Sequence, residues 1–145
     1  MKRILYVLII FVIASSCHRY PDKDKIKEEI FQTEKAFEKM ASIKGLEEAF
    51  YYFADRDALI LRKNDTLIKG KENIRNYYGK KNLNNVTVNW SPDYIYVSDC
   101  GTLGYTYGKY IWKIRNDNGV FTEINGIFHT VWKKQKNNTW KYVWD

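Results

Sequence analysis

The sequence predicts a single α+β domain in which helices cover one face of a strongly curved antiparallel sheet. Apolar residues recur at helical spacing in the first third of the chain, whereas only strand-like runs separated by turns follow residue 85. Gly104 and Gly108 fall inside one of these runs and indicate a bend or bulge that curves the sheet. The length of 145 residues and the 45% of hydrophobic residues fit one packed domain.

Three helices are predicted before the long strands. The first covers residues 24–40 and has an apolar stripe formed by Ile26, Ile30, Phe37 and Met40. The second covers residues 46–53, where apolar residues at i, i+3, i+4 and i+7 define one buried face, and Ala54-Asp55 ends it. The third is brief, covers residues 71–78, and stops at Gly79.

Six strands are predicted, two before the third helix and four after it. Residues 58–62 and 66–69 form a hairpin through Asn64-Asp65. A meander follows, with strands at residues 86–98 (interrupted at Pro92), 103–115, 121–134 and 140–144. Its last two strands form a hairpin that carries three of the five tryptophans and turns at Asn137-Asn138.

The first seventeen residues have the three parts of an export signal. Lys2 and Arg3 precede an apolar run over residues 4–13, which is too short to span a bilayer, and small residues follow. Ala14-Ser15-Ser16-Cys17 resembles the lipobox of bacterial lipoproteins, which implies cleavage after residue 16 and a lipid on Cys17. Secretion with an unmodified Cys17 and an uncleaved signal anchor are the alternatives.

This interpretation predicts a lipid-anchored protein of the bacterial cell envelope, facing the periplasm or the cell surface. Residues 1–16 are the signal peptide, residues 17–23 a short tether, and residues 24–145 the domain. If Cys17 carries lipid, Cys100 has no intramolecular partner, whereas a disulfide between the two cysteines is the competing possibility.

The composition argues against nucleic acid as a partner. Removal of the signal peptide takes away two basic residues and no acidic ones, which lowers the formal charge from +7 to +5. The basic residues are scattered, and no arginine-rich patch alternates with aromatic residues on one element. The two histidines and two cysteines form no metal-binding pair, so neither a metal nor a cofactor is expected.

Period-2 alternation divides the strand at residues 121–134 into two faces. The even positions, with Phe128, Thr130 and Trp132, are largely apolar and are expected to face the helices, whereas His129 is expected on the convex face. The same logic places further residues along or at the rim of a pocket on the inner face, namely Trp90, Thr106, Tyr110 and Asp145. Asp55 and Asp145 are the two candidates for a buried general acid or base.

Several motifs, in this order, resemble the NTF2-like superfamily, the fold of nuclear transport factor 2 and ketosteroid isomerase, and within it the DUF4440 or SnoaL-like group of exported bacterial proteins. The motifs are Glu34-Lys-Ala-Phe37, Phe53-Ala-Asp55, Ile68-Lys-Gly70, Trp90-Ser-Pro92, Val97-Ser98, Gly101-Thr-Leu-Gly-Tyr-Thr-Tyr-Gly108, Thr130-Val-Trp-Lys-Lys-Gln135 and Trp140-Lys-Tyr-Val-Trp-Asp145. The resemblance implies a cone, in which a curved sheet wraps three helices packed on its concave face and a pocket opens between the layers.

The resemblance does not define a reaction, because this fold serves enzymes, binding proteins and dimerisation modules. The aromatic-rich pocket face favours binding of a small apolar or amphipathic molecule without catalysis. The alternatives are an isomerase or dehydratase that uses Asp55 or Asp145, and a protein-interaction module that forms a homodimer through the convex face.

Overall fold

The structure, a computed structural model, describes residues 21–83 and 85–145. The predicted signal peptide, most of the predicted tether and the predicted lipid-attachment residue Cys17 lie outside the described residues. Among the helices of the described part, none has the length and apolar character needed to cross a membrane.

The three predicted helices are present as α1 (Lys23–Lys44), α2 (Leu46–Phe53) and α3 (Lys71–Gly79). Asp22 caps α1, because its carboxylate accepts hydrogen bonds from the backbone N–H groups of Asp24 and Lys25. The helix continues one turn beyond the predicted end and stops at Gly45, whose φ of 86° few other residues adopt. The same glycine begins α2, so a single residue separates the two helices.

The six strands form one open sheet in the spatial order β2-β1-β6-β5-β4-β3. Their bounds are β1 (Ala54–Arg62), β2 (Thr66–Lys69), β3 (Val86–Val97), β4 (Leu103–Arg115), β5 (Phe121–Lys134) and β6 (Trp140–Trp144). Three helices on an open curved sheet confirm the predicted fold class. The sheet is mixed rather than wholly antiparallel, because β6 inserts between β5 and β1 and runs parallel to β1.

Strand β1 begins directly where α2 ends. Ala54 and Asp55, expected as the end of the second helix, are the first two residues of the strand, which starts four positions before the prediction. The backbone N–H of Ala54 still closes the helix on the carbonyl of Phe50, while Ala54 itself is extended and pairs with Tyr142. A long-range pairing partner therefore extends the strand at a site where the local sequence indicates a break.

A bulge in β3 reverses which residues of that strand face the helices. The register with β4 shifts between Pro92 and Tyr94, and the extra residue, Asp93, follows the proline expected to interrupt the strand. Before the bulge Trp90 packs on the core, and after it Ile95 does, although these positions differ in parity. The bulge thereby turns Tyr94 and Tyr96 to the outer face, where both are exposed.

Within residues 21–83 and 85–145, the core lies between the helices and the concave face of the sheet. Phe37 of α1 is at its centre, with ring centroids 4.9 Å from Phe50, 4.9 Å from Phe53 and 5.0 Å from Trp90. Trp132 and Tyr142 complete the cluster and are fully buried. Packed aromatic rings therefore fill the interior around Phe37.

We predict that Gly108→Ala lowers the free energy of unfolding by about 1–3 kcal/mol. A Cβ at this position would lie 2.1 Å from the carbonyl oxygen of Ser91, a backbone atom that the bulge holds in place. Gly126→Ala is the matched control in the adjacent strand, because its Cβ would meet the side chain of Tyr110, which can rotate away. Urea denaturation of both variants measures the difference, and an equal loss in the two would contradict a rigid bulge.

Candidate functional site

The inner face of the sheet holds the six predicted strand residues of the pocket in neighbouring register. Thr106 pairs with Thr130, and Trp90 pairs with Tyr110. Trp132, opposite Gly104, is fully buried with the two threonines. Phe128 lies opposite Gly108 and Tyr110 opposite Gly126; both aromatic side chains are half-buried and occupy the space that the missing glycine side chains leave.

A carboxyl group lies at the point where three of these residues converge. Glu34 of α1 is fully buried and its side chain accepts three hydrogen bonds from the sheet. The indole Nε1 of Trp90 donates to Oε2 at 2.9 Å, the indole Nε1 of Trp132 donates to Oε1 at 2.9 Å, and the Thr106 hydroxyl donates to Oε1 at 2.5 Å. Strands β3, β4 and β5 each contribute one donor, so the carboxyl joins α1 to the centre of the sheet.

Burial raises the pKa of Glu34 to about 7, although the hydrogen bonds from Thr106, Trp90 and Trp132 oppose this effect and the nearby charge of Asp145 adds to it. The group thus exchanges a proton near neutral pH while it is enclosed by aromatic rings. Every buried side-chain nitrogen and oxygen in the described part of the chain has a hydrogen-bond partner. The Glu34 cluster is therefore satisfied without a ligand.

A second polar cluster surrounds Asp145 beside the first. Its carboxylate accepts a hydrogen bond from the guanidinium of Arg62 at 2.6 Å and one from the Thr130 hydroxyl at 3.2 Å. Arg62 also donates to the hydroxyl of Tyr78 at 2.7 Å and lies over the ring of Phe50. Burial alone would lower the pKa of Arg62, but the charges of Asp145 and Tyr78 and the hydrogen bonds to both residues together outweigh burial and raise that pKa.

Asp55, the other candidate acid or base, lies apart from the interior clusters. It lines an open groove of about 530 Å³ formed by the start of β1 and the β5–β6 turn. The Gln135 amide donates to its carboxylate at 3.0 Å, and Lys133 lies 3.8 Å away. Burial would raise the pKa of Asp55, but hydrogen bonds from the backbone of Asp57 and from Gln135 lower it overall.

The two candidate carboxylates are therefore not brought together in one cavity. Asp145 is held by a guanidinium, Asp55 faces a surface groove, and the only carboxyl with a strongly raised pKa among the described residues is Glu34. No group of three or more potential metal ligands occurs within residues 21–83 and 85–145. What this arrangement can do chemically is hold a proton at Glu34 and an ion pair at Asp145.

Cys100 is exposed at the β3–β4 turn and forms no disulfide within the described residues. Hydrogen bonds from the hydroxyls of Ser98 and Thr102 lower the pKa of its thiol to about 7. His129 is exposed on the convex face, where its ring centroid lies 5.6 Å from that of Tyr105.

Glu34 is the site residue that sequence reasoning missed. It belongs to the buried stripe of α1 with Ile26, Ile30, Phe37 and Ala41, at helical spacings of three and four. That spacing was a usable signal, because a carboxylate inside an apolar stripe must be buried and must find partners. The partners themselves come from strands 56 to 98 residues later in the chain, and local pattern does not indicate them.

The fold matches solved structures of NTF2-like proteins. An NTF2-like protein with a cystatin-like fold from Novosphingobium aromaticivorans has a TM-score of 0.70 at 14% identity, covering 83% of this chain and 79% of that chain. An NTF2-like superfamily protein from Salmonella enterica serovar Typhimurium has a TM-score of 0.68 at 18% identity, with coverages of 83% and 88%. The association domain of CaMKII from C. elegans has a TM-score of 0.68 at 17% identity, with coverages of 84% and 94%.

These likenesses establish that the chain has the NTF2-like α+β cone fold, and at such identities they establish the fold alone. No protein-family model matches the sequence, and no curated protein matches it. The narrower DUF4440 assignment stays a prediction.

We predict that Glu34 makes the folded state less stable as pH rises from about 4.5 to about 7. In this window the folded state binds the proton and the unfolded state does not, so stability is lost as pH approaches the folded pKa. The shift corresponds to a loss on the order of 3 kcal/mol. Glu34→Gln, which cannot ionise, should remove this pH dependence.

Urea denaturation at several pH values measures the effect, with Glu28→Gln as the control because Glu28 is an exposed carboxylate on the same helix. A Glu34→Gln variant whose stability keeps the wild-type slope between pH 4.5 and 7 would show that the carboxyl does not titrate there.

Proposed function

We propose that this protein is an envelope-facing interaction module that pairs with a second copy of itself through the convex face of β3, β4 and β5. The observation that carries the proposal is an exposed, mostly aromatic and aliphatic surface on that face. Its members, here called the convex patch, are exposed or half-buried: Tyr94, Tyr96, Leu103, Tyr105, Tyr107, Ile111, Ile127 and His129.

The rings of the convex patch form a ladder across three strands. Tyr94 stacks on Tyr107 with centroids 5.3 Å apart, and Tyr96 stacks on Tyr105 at 5.1 Å. Tyr105 in turn contacts His129 at 5.6 Å. Because neighbouring rings already hold one another, little side-chain freedom remains to be lost when a partner covers them.

The sheet face that carries the convex patch has dimensions close to those of a protein interface. Strands of 12, 13 and 14 residues build it. At the usual rise and strand spacing they cover roughly 40 Å by roughly 15 Å, or about 600 Å², before side-chain relief is counted. A standard interface covers about 800 Å² on each partner and is enriched in tyrosine, so the face suits a protein surface better than a small molecule.

A second copy is the partner we propose, because an isologous contact matches a surface to itself and needs no other protein of complementary charge. Apart from Lys109, which lies opposite Ile127, the patch is uncharged, and the Lys113–Glu123 ion pair (2.9 Å) borders it at one end. A contact between two copies can therefore form without a charged counterpart. One structural neighbour is named as the association domain of CaMKII from C. elegans, which supports the proposal that this domain also associates with another protein chain.

Binding of a small apolar or amphipathic molecule inside the cone stays a prediction. A ligand there would have to displace ring contacts such as Phe37–Trp90, and the polar groups of the interior already have partners. The isomerase or dehydratase alternative requires an acid and a donor at one accessible cavity, whereas Glu34 is fully buried and Asp145 is paired with Arg62. Both observations favour the interaction module.

We predict that residues 21–145 form a dimer and that Ile127→Arg converts it to a monomer. The substitution should weaken association at least about tenfold, because pairing would bury the uncompensated charge of the new arginine. Ile43→Arg is the matched control, since Ile43 on α1 is 69% exposed and Ile127 is 66% exposed. Sedimentation velocity at several concentrations measures both variants. A wild-type protein that stays monomeric at high concentration, or equal dissociation by both variants, would contradict the proposal.

We further propose that a lipid on Cys17 holds the domain at the membrane of the bacterial envelope. The support is the export-signal pattern and the lipobox-like Ala14-Ser15-Ser16-Cys17. One acyl chain alone gives weak membrane binding, whereas two or more anchor a protein stably.

We predict that Cys17→Ala abolishes incorporation of labelled palmitate when the full chain is expressed in a bacterium, and that the protein leaves the membrane fraction. Cys100→Ala should leave both unchanged, because Cys100 lies far along the chain within the folded domain. Incorporation of label in the Cys17→Ala variant would refute the assignment.

A further inference from the structure

The groove that contains Asp55 is strongly cationic. Five basic side chains line it, and Asp55 is its only carboxylate: Arg56, Lys133, Lys134, Lys136 and Lys141. Ion pairing accounts for two of the five, since Lys133 lies beside Asp55 and Lys134 pairs with Glu29 at 2.9 Å. Arg56, Lys136 and Lys141 form no ion pair with a carboxylate in residues 21–83 and 85–145. Three positive charges therefore converge on the groove without a counter-ion.

Lys141 is the most constrained of these three. It is half-buried, its Nζ donates to the backbone carbonyl of Tyr52, and it lies 4.1 Å from the centroid of the Tyr52 ring. Burial and the positive charge of Lys71 lower the pKa of Lys141. An anion next to Lys141 would oppose both effects, so binding of a negatively charged group is favourable at this position.

A second groove, of about 500 Å³, adjoins the first across Thr139 and Lys141. Most of its exposed surface is carbon, and Met40, Phe53 and Trp140 are in its lining, together with the polar residues Glu29 and Gln32. Tyr52, 53% exposed, lies at its edge. Each groove has the size of a small-molecule site, and side by side they present a cationic end and an apolar end.

We propose that the two grooves form one binding site for an anionic amphiphile, a molecule with a phosphate or carboxylate head and a single acyl chain. The head lies among Arg56, Lys136 and Lys141, and the chain lies along Met40, Phe53 and Tyr52. A purely anionic ligand would leave the apolar groove uncovered, and a purely apolar one would leave the three cations unpaired. This site is separate from the convex patch and from the interior of the cone.

The site lies at the end of the domain where the chain enters the fold. Pro21 contacts the turn at Gly101, and the next residue, Thr102, accepts a hydrogen bond from the backbone N–H of Lys134 at 2.8 Å. Cys17 precedes Pro21 by only a few residues, a span of at most about 14 Å. The lipid anchor proposed above would thus hold this end of the domain against acyl chains and anionic head groups. The placement at the membrane depends on that anchor, whereas the proposed binding of an amphiphile depends only on the residues of the two grooves.

Calorimetric titration of residues 21–145, which contain every core residue of the described part, tests the site without Cys17. The probe is dodecyl phosphate below its critical micelle concentration. Inorganic phosphate supplies the head alone, and dodecyl maltoside supplies the chain with an uncharged head. We expect saturable binding of dodecyl phosphate and at least roughly tenfold weaker binding of the other two. Equal binding of dodecyl phosphate and dodecyl maltoside, or no saturable binding of dodecyl phosphate, would overturn the proposal.

Charge variants locate the site. Arg56→Gln/Lys136→Gln/Lys141→Gln should weaken binding of dodecyl phosphate roughly tenfold or more, because it removes three unpaired cations. The control Lys39→Gln/Lys63→Gln/Lys80→Gln removes the same charge from exposed positions elsewhere. The double variant Arg56→Gln/Lys136→Gln keeps the Lys141–Tyr52 contact, so weaker binding by this variant reflects the lost charges and not a loss of folding. Equal weakening by the control would show non-specific attraction and overturn the site.

A vesicle arm distinguishes the source of the amphiphile. Flotation of residues 21–145 with phosphatidylglycerol vesicles, and not with phosphatidylcholine vesicles, would support the site and assign bilayer lipid as its ligand. Binding of monomeric dodecyl phosphate without flotation would support the site and assign a free amphiphile. Residues 21–145 lack Cys17, so these binding results do not depend on whether Cys17 carries a lipid. Absence of that lipid would be detected only in the palmitate experiment.

Discussion

The hydrogen bonds that converge on the buried carboxyl of Glu34 organise this fold. A hydrogen bond to an ionised group contributes about 1.5–3 kcal/mol, whereas an unpaired carboxylate in an apolar interior is strongly destabilising. Trp90, Thr106 and Trp132 therefore must reach Glu34 together, and they can do so only when β3, β4 and β5 are in register. One side chain thereby links the helix to the strand alignment, and the aromatic core packs around that link.

Much of the architecture could be predicted from local pattern, because helical spacing and period-2 alternation are properties of short segments. The bounds of β4, β5 and β6 agree with the prediction for this reason. The departures occur where a distant partner decides the structure. Ala54 is extended because Tyr142 pairs with it, and Tyr94 faces outward because a bulge at Asp93 shifts the register.

The candidate site shows the same division between local and distant information. Alternation on β5 correctly separated Thr130 and Trp132 from the exposed His129. It did not indicate Glu34, because a residue on a helix and its donors on three later strands have no shared local signal. The cationic groove is still harder to predict, since the start of β1 and the β5–β6 turn lie about 80 residues apart in sequence and meet only in the folded domain.

The position of β6 has a consequence for how the domain is completed. This strand comes last among the described elements, yet it lies in the middle of the sheet, between β1 and β5. Until it is in place, β1 and β2 form one sheet fragment and the β3–β5 meander forms another, each with an unpaired edge. During synthesis the two sheet fragments therefore stay unpaired with each other until β6 has been made. Pairing of β6 with β1 joins segments far apart in sequence, which raises the contact order of the domain and slows its folding.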